Sequence, residues 1–244
     1  MQFTKSFLVF ALYAINVQQV LAAPVSPELD EASGGNHTVL ATGSGDSKSD
    51  PIKADLEIKG QSALPFDVDC WAILCKGAPK VLQRVNEKTK NSNRDRSGAN
   101  KGPFKDPAKW GIKALPAKAP SWSAQEFKSP EEYAFASSLQ GGTGAILVPV
   151  NLASQNSQGG VLNGFYSANK VKQFDPSKPS ETKGTWFQIT KFTGTVGPYC
   201  KALGSNDKSA CDKSKNVAGD WGFDPAKWAY MYDEKNTKFN YVGK

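Results

Sequence analysis

The chain has 244 residues, 22 % of them charged and 39 % hydrophobic, with a formal net charge of +7. Its only histidine, His37, lies near the start, so residues 38–244 have no imidazole for acid–base or metal chemistry. That excludes Ser-His-Asp hydrolases, histidine-dependent ribonucleases and His-ligated zinc, and leaves carboxylate chemistry, with or without a hard oxygen-bound cation.

Lys5, the apolar run Phe7–Ile15 and the small residues of Val20-Leu21-Ala22-Ala23-Pro24 read as a cleavable signal peptide over residues 1–23. The apolar run is too short to span a bilayer, and no later segment supplies the roughly 18 apolar residues that a span needs. A secreted, extracellular protein without a membrane span is expected. In that compartment Cys70, Cys75, Cys200 and Cys211 should form two disulfides. Three pairings are open, and short loop closure favours Cys70–Cys75 with Cys200–Cys211. Asn36-His37-Thr38 is a glycosylation sequon at Asn36.

Residues 24–64 are rich in Ser, Gly, Asp and Glu and read as a disordered acidic leader or propeptide, with the folded domain at 65–244. From residue 65 onward there are 26 Lys/Arg against 16 Asp/Glu. A basic domain of this kind attracts DNA or another polyanion in a salt-sensitive way.

In chain order, residues 77–88 predict a short amphipathic helix on Val81, Leu82 and Val85, and residues 91–120 a long basic loop. Within the loop, Asp106-Pro107-Ala108-Lys109-Trp110 reads as one helical turn, and the same five residues recur at Asp224-Pro225-Ala226-Lys227-Trp228. Ser129-Pro130-Glu131-Glu132 fits a capping box and predicts a helix start. Ala145–Val150 reads as a buried strand, Asn151–Gln158 as a polar loop and residues 159–172 as a helix. Thr185–Phe192 reads as a second strand, and the Trp- and Tyr-rich tail from Gly197 should wrap the core.

Several of these pieces together resemble a known family. They are Glu131-Glu132-Tyr133-Ala134-Phe135-Ala136-Ser137-Ser138, Gln140-Gly141-Gly142, Val148-Pro149-Val150, Gln155-Asn156-Ser157-Gln158-Gly159-Gly160 and Phe165-Tyr166, with Cys75-Lys76-Gly77-Ala78-Pro79 and Asn93-Arg94 upstream. Their order and spacing are similar to the NucA/NucB deoxyribonuclease family over roughly residues 70–170. The resemblance implies an α+β fold with a small antiparallel sheet and helices around a strand-strand-helix (ββα-type) site. It also implies hydrolysis of DNA phosphodiesters with Mg²⁺ or Mn²⁺, and no small-molecule cofactor.

Carried onto this sequence, the resemblance makes Glu131 and Glu132 the catalytic candidates, Glu132 and Asn156 the metal ligands, and Arg94, Arg96, Lys101 and Gln158 the DNA contacts. A monomer is expected. The chain departs from the family pattern at Glu131, Ala134, Pro130 and Gln155, the last being neutral where the family carries an acid. These departures keep an alternative open: a catalytically impaired nuclease fold that acts as a secreted binding or effector protein through its basic surface.

Overall fold

The computed structural model describes residues 41–112, 114–117, 126–181 and 183–244. The signal-peptide and Asn36 glycosylation readings lie outside these residues. The first described element is β1 (Ile52–Ile58), in which Ala54, Leu56 and Ile58 are buried and Lys53, Asp55 and Glu57 point away. This corrects the reading of residues 24–64 as a disordered leader for its C-terminal part. The average composition hides a period-two strand of seven residues, and the alternation buries one face.

The next element is α1 (Ala63–Lys76), buried on nearly every side through Leu64, Phe66, Val68, Cys70 and Trp71. An apolar surface all round suits a helix packed between layers. It stops at Gly77, which adopts a left-handed conformation (φ 68°) and donates its N–H to Ala72 O. The segment after it is strand β2 (Val81–Gln83) followed by α2 (Glu87–Arg96), not a helix over 77–88. Asn86 is the stronger start signal, since its side chain accepts from Thr89 N, while Val81 and Leu82 complete a sheet.

Strand β3 (Ser129–Tyr133) replaces the helix expected from the capping-box pattern. It pairs antiparallel with β4 (Ile146–Val150) at every position, from Ser129 opposite Val150 to Tyr133 opposite Ile146. The fully buried Ile-Leu-Val run of β4 needs a partner for its backbone, and that demand overrides the local capping signal. Helix α3 (Leu152–Ala168) begins seven residues before the expected start at Gly159, because Asn151 caps it by accepting from Ser154 N at 2.7 Å. The expected polar loop Asn151–Gln158 is therefore the cap and first two turns of a helix.

Strand β5 (Trp186–Gly194) lies at the centre of a three-stranded sheet, parallel to β1 and antiparallel to β2. Helix α4 (Pro198–Ser205), β6 (Tyr230–Asp233) and β7 (Lys238–Tyr241) complete the chain. The second sheet has the order β3-β4-β6-β7 and is antiparallel throughout. The α+β class with antiparallel-rich sheets is thus observed. Its main core packs Phe66, Trp71, Phe187, Tyr199 and Trp221 together, and a smaller cluster gathers Phe104, Ile112, Leu147, Tyr232 and Phe239. Burying each such large side chain contributes about 1.5–3 kcal/mol. Both repeated turns form, the first setting Trp110 edge-on against Phe239 at 5.2 Å and the second capped by Asp224.

The disulfides are Cys70–Cys200 and Cys75–Cys211, which corrects the short-loop pairing. Cys70 and Cys75 sit on α1, and their partners belong to α4 and the 3₁₀ turn after it (Lys208–Cys211). Loop length is a poor guide here, because packing of the tail onto α1 decides which sulfurs meet. The same contact is reinforced by buried Asp67, whose Oδ1 accepts from Cys200 N at 2.9 Å in the first turn of α4. Gly197 makes room for that carboxylate, since a Cβ there would lie 2.5 Å from Asp67 Oδ1. All these elements belong to one unit, Thr38–Lys244. No helix among the described residues is long and apolar enough to cross a membrane.

Candidate active site

Strand β3 and helix α3, linked through the wholly apolar strand β4, carry the central polar side chains. Glu131 and Glu132 are adjacent on β3, so their side chains leave opposite faces of the strand. Glu131 meets the buried face of α3, where residues 154, 158, 162, 165 and 166 recur at helical spacing. Gln158 Nε2 donates to Glu131 Oε1 and to Asp69 Oδ2 of α1, each at 2.9 Å, so one amide bridges two buried carboxylates. Burial raises both carboxyls above their ordinary range, each made worse by a neighbouring carboxylate and opposed by the Gln158 hydrogen bond. Two carboxyls raised in this way and bridged by one amide favour holding a proton between them.

Glu132 turns toward α2. Burial pushes its carboxyl up to about 7, against the pull of a Ser97 hydrogen bond and the charges of Arg94 and Lys90. Its Oε1 is buried without a hydrogen-bond partner. Helix α2 is held in place by buried Asn93, whose Nδ2 donates to Ala136 O at 2.9 Å and to Ser138 O at 2.8 Å in the turn after β3. This fixes Arg94, the next residue, beside the strand that carries the two glutamates.

Two cavities meet at Glu132. The first, of about 260 Å³, is lined by Glu131, Glu132, Lys90, Arg94, Gln158 and Arg84, among others. The second, of about 500 Å³, includes Glu132, Arg94, Asn156, Lys105 and Lys128. Glu132, Arg94 and Gln155 line both. The structure therefore brings together Glu131, Glu132, Asn156, Gln158 and Arg94. It leaves Arg96 and Lys101 outside both cavities: Arg96 Nε donates to Thr143 Oγ1 at 3.2 Å, and Lys101 Nζ lies 5.2 Å above the Tyr232 ring.

Gln155, the neutral departure, has a structural use. Its Oε1 accepts from Ser129 Oγ, while its Nε2 donates to Pro130 O at 2.5 Å. A carboxylate could accept the first bond but could not donate the second, so the amide adds to the Gln158–Glu131 bond a second tie between α3 and β3. Sequence reasoning missed Asp69, Lys90 and Arg84. For Asp69 a signal existed: Asp67 and Asp69 interrupt an otherwise apolar run, Leu64 to Leu74, and a charge inside a buried helix demands a partner.

Whether these residues suit a divalent cation is answered by Glu132. Its orphaned Oε1 is the kind of buried oxygen that a cation or water satisfies, and Asn156 shares the second cavity with it. Among the described residues no cluster of three or more His, Cys, Asp or Glu is placed to hold a metal. One buried carboxylate oxygen with an amide across the cavity would suit only a hard cation that keeps most of its water, as Mg²⁺ does with one or two carboxylates and a substrate phosphate.

The buried acids also set a pH dependence of folding. Asp67 is pushed up to about 8 by burial, Glu132 to about 7, and Asp69 and Glu131 are raised as well. Raised carboxyls bind more protons folded than unfolded, so their contribution is complete below the ordinary carboxyl range and is lost as pH climbs through about 7–8. Thermal unfolding followed by circular dichroism is expected to give a higher Tm at about pH 5 than at about pH 8.5. A Tm that rises across this window would show that these carboxyls are ionised without penalty.

The family model for deoxyribonuclease NucA/NucB matches residues 69–176. No curated protein matches the chain. The matched stretch begins at the buried aspartate of α1 and contains every residue that lines the two cavities.

Proposed function

We propose that this chain, which the family model for deoxyribonuclease NucA/NucB matches over residues 69–176, is a secreted endodeoxyribonuclease that cuts extracellular DNA at Glu132. The observation that carries the reading is the position of Glu132, a nearly buried carboxylate with an unpartnered oxygen, where two cavities edged by Arg94 meet. Its two disulfides suit an oxidising compartment.

In this reading, Arg94 and Lys90 hold the phosphate of the bond to be broken, and their charge offsets the negative charge that builds up on its oxygens. Glu132 in its ionised form accepts the proton of the attacking water. Its raised pKa suits that task near neutral pH, where a carboxyl of ordinary acidity would be a weak base. The bridged pair of Glu131 and Asp69 does not face the substrate as a second base. It fixes β3 against α1 and α3 through Gln158, and so holds the neighbouring Glu132 in register. Asn156 edges the second cavity, where the strand would continue. Glu132 and Asn156 are the residues that would hold Mg²⁺ or Mn²⁺, which would supply further positive charge to the phosphate oxygens.

The test is nicking of supercoiled plasmid by the disulfide-bonded protein with Mn²⁺ or Mg²⁺, and with EDTA. Conversion to open circle in the presence of metal, suppressed by EDTA, is the expected result. DNA binding without nicking would favour the second reading, a nuclease fold that binds extracellular nucleic acid without cutting. The neutral Gln155 and the lack of a three-acid cluster among the described residues speak for that alternative.

A further inference from the structure

Arg84 lies at the end of β2, in the same cavity as Glu131 and Glu132 but contributed by a different element from Arg94. Its backbone is fixed on both sides, the N–H donating to Thr185 O at 3.1 Å and the carbonyl accepting from Phe174 N at 2.8 Å. Its guanidinium is fixed as well. Nη1 donates to Val171 O at 2.6 Å, and the group lies 4.4 Å over the ring of buried Tyr166, whose hydroxyl contacts Ser137 Oγ at 3.1 Å. One of five N–H donors is thereby used, and among the described residues no carboxylate stands within ion-pair distance of the group.

A merely structural side chain at this place would need to cover Tyr166 and bond Val171 O, which calls for no full charge. A half-buried guanidinium held against a ring, with no carboxylate within ion-pair distance and no further donor bonded among the described residues, is prepared for an anion that offers two oxygens to its fork. The exposed polar residues Asn163 and Gln173 line the same cavity. We propose that Arg84 forms a second phosphate subsite, which grips a backbone phosphate of the same DNA strand next to the one attacked at Glu132. This rests on the nuclease reading of the cavity and adds to it a contact outside the reacting phosphate. The strand is then held on two elements, β2 and α2, rather than at the scissile group alone.

The experiment measures binding rather than cutting. Anisotropy of a fluorescein-labelled DNA duplex is followed in EDTA across a salt series for the wild-type chain, Arg84→Met, and Lys208→Gln as an exposed control away from both cavities. Methionine keeps an apolar stem on Tyr166 and removes the charge. Arg84→Met is expected to weaken binding roughly tenfold and to lower the slope of log Kd against log salt by about 0.9, as one phosphate contact is lost. Lys208→Gln should change neither.

Unchanged affinity and slope in folded Arg84→Met would overturn the subsite, and so would a wild-type chain with no affinity for DNA. Should Arg84→Met lose its native circular dichroism, Arg84→Lys is read in its place, since it keeps the charge but not the fork. A retained slope with affinity lowered a few-fold supports the subsite, and wild-type affinity overturns it. If the wild-type chain binds but never nicks plasmid, the nuclease reading fails while the effect of Arg84→Met on binding still decides the subsite.

Discussion

Glu132→Gln is expected to lower the plasmid-nicking rate by about 10²–10⁴-fold, the range that a positioned general base contributes. The amide is nearly isosteric, so circular dichroism and DNA affinity in EDTA should stay close to wild type. Loss of rate without loss of binding then places Glu132 in the chemical step and not in holding the DNA. The pH profile adds a second sign: the base must be ionised, so wild-type kcat/KM should climb with pH and level off at or below the carboxyl's shifted value of about 7, since a cation beside it pulls that value down. That limb should be missing from whatever activity the variant keeps. Wild-type nicking by Glu132→Gln would show that the proton is taken elsewhere, and Glu131 would be the next residue to test.

A large effect on stability is expected far from the cavities, at Lys244. Its Nζ lies 3.2 Å from Asp224 Oδ2 and donates to Ala210 O at 2.8 Å, and both side chains of the pair are almost completely buried. The ammonium also lies 5.1 Å from the centre of the Tyr199 ring. Asp224 has other work: it accepts from Tyr199 Oη at 2.8 Å, Ala226 N at 3.0 Å and Val217 N at 3.0 Å. Lys244→Met removes the only cation paired with that carboxylate among the described residues and leaves the charge buried. Breaking a buried pair from one side costs about 3–5 kcal/mol. For a domain of this size, Tm should fall by on the order of 10 °C. Thermal denaturation of the two proteins in one buffer checks this, and a change under about 2 °C would mean that the hydrogen bonds to Asp224 carry the site without the lysine.

The sequence was most legible where one element satisfied its own pattern. The Ile146–Val150 run could only be a buried strand, and Thr185–Phe192 alternates like the central strand it is. It was least legible where a local signal competed with a distant partner. Ser129 and Glu132 have the spacing of a capping box, yet β4 recruits them as a strand, and this turns Glu132 from a helix cap into the residue between two cavities. Val81 and Leu82 are compatible with either period, and pairing with Phe187 and Gln188 of β5 decides between them.

The site shows the same division. Glu131, Glu132, Asn156, Gln158 and Arg94, which line the two cavities, sit in contiguous motifs and so could be singled out from the sequence. Asp69 and Arg84 were not, since only tertiary packing brings α1 and the end of β2 to the same place. Gln155 read as a lost charge and proved to be a two-sided amide, a distinction that depends on Pro130 O lying within its reach.

The crossed pairing of the cysteines has a consequence for the chain as a covalent object. Cys70 and Cys75 both lie before the elements that line the two cavities, and Cys200 and Cys211 both lie after them. A protease that severs the backbone once anywhere between residues 76 and 199 therefore releases nothing. The two pieces stay bolted together at two points, α1 to the tail, and the strand and helix that carry Glu132 and Arg94 remain tethered to the body. Under reducing conditions such a nicked molecule would fall into two bands, whereas without reductant it would migrate as one.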